Sequence, residues 1–143
     1  MDYLNRLENI LDGKHRLVSM ESYDVERVLE VLGRLGRRSS KALYLWSPQE
    51  GMRRLGAGHI VVPGTDTPKG LLQHIAESRH FGVYVLREFN DALQDKANQV
   101  VLKKIAGDEI SPKVIMLLGE QVLLPDSLKP LTLRSRHQTR DPM

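Results

Sequence analysis

The sequence predicts an α/β protein, a three-layer α/β/α sandwich around a mostly parallel five-stranded sheet, and two observations carry the prediction. Short apolar runs of strand length alternate along the chain with segments whose apolar residues recur at helical spacing, which implies right-handed crossovers between parallel strands. One of those runs, Val114-Ile115-Met116-Leu117-Leu118, is apolar without interruption, the pattern of a strand covered on both faces. A length of 143 residues suits one domain with an ordinary core.

Tyr3, Leu4, Leu7, Ile10 and Leu11 repeat at helical spacing before Gly13, so residues 2–12 are expected to form an amphipathic helix with a glycine C-cap. A short strand, Arg16–Met20, follows. Val25, Val28, Leu29 and Leu32 then line a second helix expected to end near Gly33 or Gly36. Lys41–Ser47 reads as the second strand, stopped by Pro48, with Trp46 and Tyr44 as core aromatics. A long irregular connection carries Gly51, Gly56, Gly58, Pro63 and Gly64, and its middle, His59–Val62, has the makings of a minor strand. Thr67-Pro68 opens a third helix as N-cap and first-turn proline. The third strand is Phe81–Phe89, and a helical region holding Leu93, Val100, Val101, Leu102 and Ile105 ends at Gly107. Lys113–Gly119 is the fourth strand, a turn at Pro125–Leu128 follows, and Leu131–Ser135 is the fifth. Residues 1–135 are thus expected to form one domain, and residues 136–143 a disordered basic tail.

Composition removes several kinds of chemistry. The chain has no cysteine, so disulfides, thiolate zinc sites and thiol nucleophiles are excluded. No apolar run approaches the ~20 residues of a membrane span, and the first residues are amphipathic rather than signal-like, so a cytoplasmic protein with no membrane partner is expected. The net charge of +3 is small, and the tail arginines Arg134, Arg136 and Arg140 have no interleaved aromatic platform, which argues against nucleic acid as a partner. His74, Glu77 and His80 share a three-residue spacing but no fourth zinc ligand is evident, and no serine stands in a nucleophile-elbow context.

The joint Leu17–Arg27, where the first strand runs into the second helix, is the most informative stretch. A phosphate cradle at such a joint needs glycines for the backbone to curl around the anion, a lysine for the terminal phosphates and a hydroxyl for magnesium. No glycine or lysine stands between Val18 and Val28. Glu21, Asp24 and Glu26 stand there instead, where they take the favourable end of the helix dipole themselves and repel a triphosphate, with Ser22 as the expected N-cap. The string Gly64-Thr65-Asp66-Thr67-Pro68-Lys69-Gly70 does not have phosphate-loop spacing, and it reads as a loop that caps the next helix.

The joint Met20–Leu29, the strands Leu43–Ser47 and Val83–Phe89, and the run Ile115–Gly119 followed by Leu124–Leu128 together resemble the N-terminal, non-catalytic region of AAA-type ATPases of the cyanobacterial and chloroplast-encoded kind. The resemblance covers roughly Leu4 to Leu133. It implies a P-loop-like domain that has lost its nucleotide motif, with five strands ordered 2-3-4-1-5 and Glu88 near the second acidic motif. It implies no activity of its own; in that family a working ATPase module follows, and none follows within these residues. The expected function is therefore a non-catalytic, degenerate P-loop-like domain that works as a protein-interaction or regulatory module without a cofactor. Its expected partner is a protein, such as a separately encoded ATPase or further copies of itself.

The implied strand order also suggests an alternative. It sets strands three, four and one side by side, and their C-terminal ends carry Glu88, Glu120 and Glu21, in the crevice where open α/β sheets bind ligands. Oxygen ligands from these three, with Asp91 as a fourth, could hold a divalent cation for a metal-dependent enzyme or a nucleotide-binding protein. The plainer reading leaves each carboxylate in solvent at a strand end.

Overall fold

A computed structural model of the chain describes residues 3–12, 14–38, 40–56 and 60–137. The elements run in the order α1 (Tyr3–Ile10), β1 (Leu17–Ser22), α2 (Val25–Arg38), β2 (Leu43–Ser47) and β3 (Gly51–Arg54). After these come α3 (Pro68–Glu77), β4 (Val83–Arg87), α4 (Asn90–Leu93), α5 (Lys96–Ala106), β5 (Val114–Gly119) and β6 (Thr132–His137). A short 3-10 turn at Lys129–Leu131 leads into β6.

The sheet has the order β3-β2-β4-β5-β1-β6, parallel throughout except for the β2–β3 hairpin. The five strands expected from the sequence are β1, β2, β4, β5 and β6, and their order is 2-3-4-1-5 as the resemblance implied. The sixth strand corrects the expected count. Residues 51–54 pair with β2 through a turn in which Gly51 adopts φ 73°, a conformation that suits glycine. The expected minor strand at 59–62 is reduced to a single bridge between Arg53 and Val61, while His59 lies outside the described residues, as does the expected cap Gly13.

Side chains alternate across the sheet because successive strand residues point to opposite faces. Val18 and Met20 of β1, Val83 and Val85 of β4, and Val114, Met116 and Leu118 of β5 meet α1 and α2 in one core. Leu17, Trp46, Tyr84, Leu86, Ile115 and Leu117 meet α3 and α5 in the other. Leu7 and Leu11 are fully buried, and each such leucine contributes about 1.5–3 kcal/mol, which anchors the short α1. Trp46 is a core residue, as expected; its ring meets Phe89 edge-on at 5.5 Å and its Nε1–H donates to the Thr65 carbonyl.

Three helix boundaries differ from expectation. The second helix continues past Gly33 and Gly36 to Arg38, and Gly36 serves packing instead of termination: a Cβ there would lie 3.2 Å from the Leu55 carbonyl oxygen. The helical region after β4 is two helices, because Asp95 interrupts it and caps α5 by accepting from the Ala97 N–H. The first helix, described from Tyr3, ends at Ile10 instead of reaching residue 12, and Asp2 lies outside the described residues. At the far end β6 reaches His137, two residues beyond the expected strand, so most of the expected tail lies outside the described residues.

Candidate functional site

The joint between β1 and α2 is where the fold would place a phosphate loop, and its hydrogen bonds account for what stands there. The N-cap is Asp24 and not Ser22: the Asp24 carboxylate accepts the Arg27 N–H at 3.1 Å. Ser22 sits one step earlier, still in β1, and its hydroxyl accepts the Asp24 N–H at 3.0 Å, which fixes the turn into the helix. An amide that could serve an anion at this helix end is therefore already committed to a side chain of the protein. Across the crevice Arg87, the last residue of β4, sends its guanidinium to Glu26 in the first turn of α2, 3.3 Å away.

A crevice of about 430 Å³ opens between this joint and the C-terminal ends of β4 and β5. Asp24, Glu26, Glu88 and Glu120 line it with Arg87, over an apolar floor that includes Phe89 and Leu117. Four carboxylates against one guanidinium make it a poor receptor for polyphosphate.

The three expected metal ligands come together only in pairs. Glu88 and Glu120 share the crevice, whereas Glu21 and Glu120 share a neighbouring pocket of about 230 Å³. Glu21 belongs to β1 and is already engaged. One carboxylate oxygen accepts the Val122 N–H at 2.9 Å and the other binds the Arg136 guanidinium of β6. The Val122 amide, then Arg136, hold its carboxyl below the usual carboxylate range against the opposing effect of burial. Glu88 is exposed, with φ 54°, and accepts from Gln49 Nε2 at 3.2 Å. Glu120 is exposed, and Asp91 lines a separate groove between α3 and α5. Among the described residues no group of three or more His, Cys, Asp or Glu side chains is arranged to hold a metal ion.

Residues that sequence reasoning passed over complete the site. Asn90 donates from Nδ2 to the Gln121 carbonyl and accepts the Leu123 N–H on Oδ1, both at 2.9 Å, and Gln94 Nε2 donates to the Leu123 carbonyl. With Glu21 they hold the 121–123 loop against the strand ends. Arg87 was legible as the polar residue closing an apolar strand; Asn90 and Gln94 left no such signal, since their partners are backbone atoms about thirty residues away.

The remaining candidates have structural roles. Thr67 accepts the Gly70 N–H at 3.1 Å with Pro68 in the first turn of α3, so the Gly64–Gly70 string caps a helix. His80 lies beyond the end of α3 at Glu77, off the helical face that would bear His74 and Glu77. No helix among the described residues is long and apolar enough to cross a membrane.

No curated protein matches the sequence. Among solved structures, a chain of the Drosophila ORC bound to DNA superimposes with a TM-score of 0.55 at 12% identity, over 96% of this chain and 29% of that one. At that identity the likeness speaks for the fold alone, a layered α/β sandwich, and this chain spans less than a third of its neighbour's length. A family model described as the N-terminal domain of SpoVK-like AAA ATPases matches residues 3–136. That match takes in both faces of the sheet, the acidic joint and nearly all of β6, and by it the chain belongs to the SpoVK-like AAA ATPase N-terminal domain family.

Proposed function

We propose that this domain is a non-catalytic relative of the P-loop fold, working without a nucleotide as a protein-interaction or regulatory module beside an AAA ATPase. The observation that carries the proposal is the capped joint. Asp24 takes the Arg27 amide at the start of α2, Glu26 takes Arg87, and no lysine or glycine stands where a triphosphate would be held. Membership of a family of ATPase N-terminal domains supports the regulatory part, since such a domain sits beside a module that performs the hydrolysis.

Thermal unfolding with and without magnesium-ATP or ADP tests the nucleotide half. Ligand at a hundredfold excess over its dissociation constant adds about 2.7 kcal/mol and raises Tm by several degrees. The proposal expects no shift at millimolar nucleotide, and a saturable rise would overturn it. The competing use of the crevice, through a divalent cation on Glu88 and Glu120, predicts calorimetric heat with magnesium, manganese or calcium that Glu88→Gln removes. Such heat would replace the regulatory reading with a metal-dependent one.

A further inference from the structure

We propose that the outer edge of β6 docks an extended acidic segment of a protein partner by strand addition, a docking mode that rests on the interaction reading above. The two ends of the sheet are treated differently by the fold. At one end β3 is covered by the chain's own Val61, which bridges Arg53, and by the Val62 N–H, which donates to the Met52 carbonyl at 2.7 Å. At the other end β6 pairs with β1 over all six of its residues, and no described strand lies outside it. An end strand presents a row of N–H and C=O groups at strand spacing, which is a template for another extended chain.

Charge names the occupant. Arg134 and Arg136 stand opposite Ser19 and Glu21 in the register with β1, on the sheet face away from α1 and α2. With Lys129 they line a polar groove of about 580 Å³ beside the strand; Glu21 already holds Arg136 and Asp126 meets Lys129 at 3.1 Å, so among the described residues Arg134 is the cation of this groove without an ion pair. Two residues of strand separate the arginines by about 7 Å, the repeat at which carboxylates of a partner strand recur on one face. A second copy of this edge would set arginine against arginine, an unfavourable cross-strand pairing. Nucleic acid is disfavoured because the groove has no aromatic side chain for base stacking. The chemistry left is an extended peptide with Asp or Glu at alternate positions.

The probe is a synthetic peptide alternating Glu with Val and Thr, titrated onto the full chain at low and raised salt while amide hydrogen exchange is followed. The expected result is salt-sensitive binding with new protection of alternate β6 amides. Arg134→Glu, an exposed position, should weaken binding about tenfold, and the same peptide with Lys in place of Glu should bind that variant better than the unaltered chain. Arg134→Gln should fall between the two. No binding to the unaltered chain, undiminished binding to Arg134→Glu, or competition by single-stranded oligonucleotide without β6 protection would each overturn the proposal. None of these outcomes touches the nucleotide test, so failure of this edge and failure of the regulatory reading are separable.

Discussion

Glu88 adopts φ 54° at the end of β4, the left-handed region that costs a side chain of this kind about 1 kcal/mol or more. The hydrogen bond that its carboxylate accepts from Gln49 is at the surface and offsets little of that cost. Glu88→Gly should therefore raise stability by about 0.5–1 kcal/mol, read as a higher urea midpoint with an unchanged slope. A lower midpoint would show that the Glu88 side chain stabilises the crevice more than its backbone strains it. The position of Glu88 near the C-terminal end of a strand was legible in the sequence, as were those of Glu21 and Glu120, although the strand ends at Arg87 and not at the expected Phe89. Their separate environments were not, because the Val122 amide and the Arg136 guanidinium that engage Glu21 are more than a hundred residues away along the chain.

The second helix shows how a sequence signal is read correctly in kind and wrongly in position. Acidic residues at its start were legible as caps, but Ser22 and Asp24 are both good cap residues, and only the two-residue extension of β1 makes Asp24 the one at the boundary. Asp24→Ala should cost about 1 kcal/mol in a denaturant melt, whereas Ser22→Ala should cost less. Equal losses would mean that the turn into α2, and not the helix cap, carries the stabilisation. Gly36 misled for a related reason: glycine often ends a helix, yet here it admits the Leu55 backbone, a contact that exists only once β3 is in place.

Paired charges brace the two ends of the sheet, and they set the response of the whole fold to pH. Glu21 ties β1 to β6 and to the 122 amide at one end. At the other, Asp108 accepts the Ser111 and Ile110 amides and meets Lys113, whose side chain is fully buried, at 3.5 Å. The Ser111 amide first, then Ile110 and Lys113, hold the Asp108 carboxyl below its ordinary value, as Val122 and Arg136 do for Glu21. Both carboxyls are more acidic folded than unfolded, so the unfolded chain binds more protons as the pH drops. Their contribution is complete above about pH 5 and is lost as the pH falls through and below the ordinary carboxylate range. Urea midpoints should stay level from neutral pH to about 5 and then fall, and Glu21→Gln should lower the neutral value by about 1 kcal/mol while flattening the acid limb. At the alkaline side burial pushes the Tyr3 phenol up to about 12, so stability should hold below about pH 10 and decline as the pH rises toward that value.

Local patterning alone determined the layered α/β class, the five parallel strands and the absence of a phosphate cradle, because periodicity, capping residues and missing glycines are properties of neighbours in the chain. Tertiary structure decided which carboxylates meet, that Asp24 and not Ser22 caps α2, that Arg87 answers Glu26, and which sheet end is left open. Each of these depends on atoms that only strand order brings together, and no local pattern encodes a contact between residues 21 and 136.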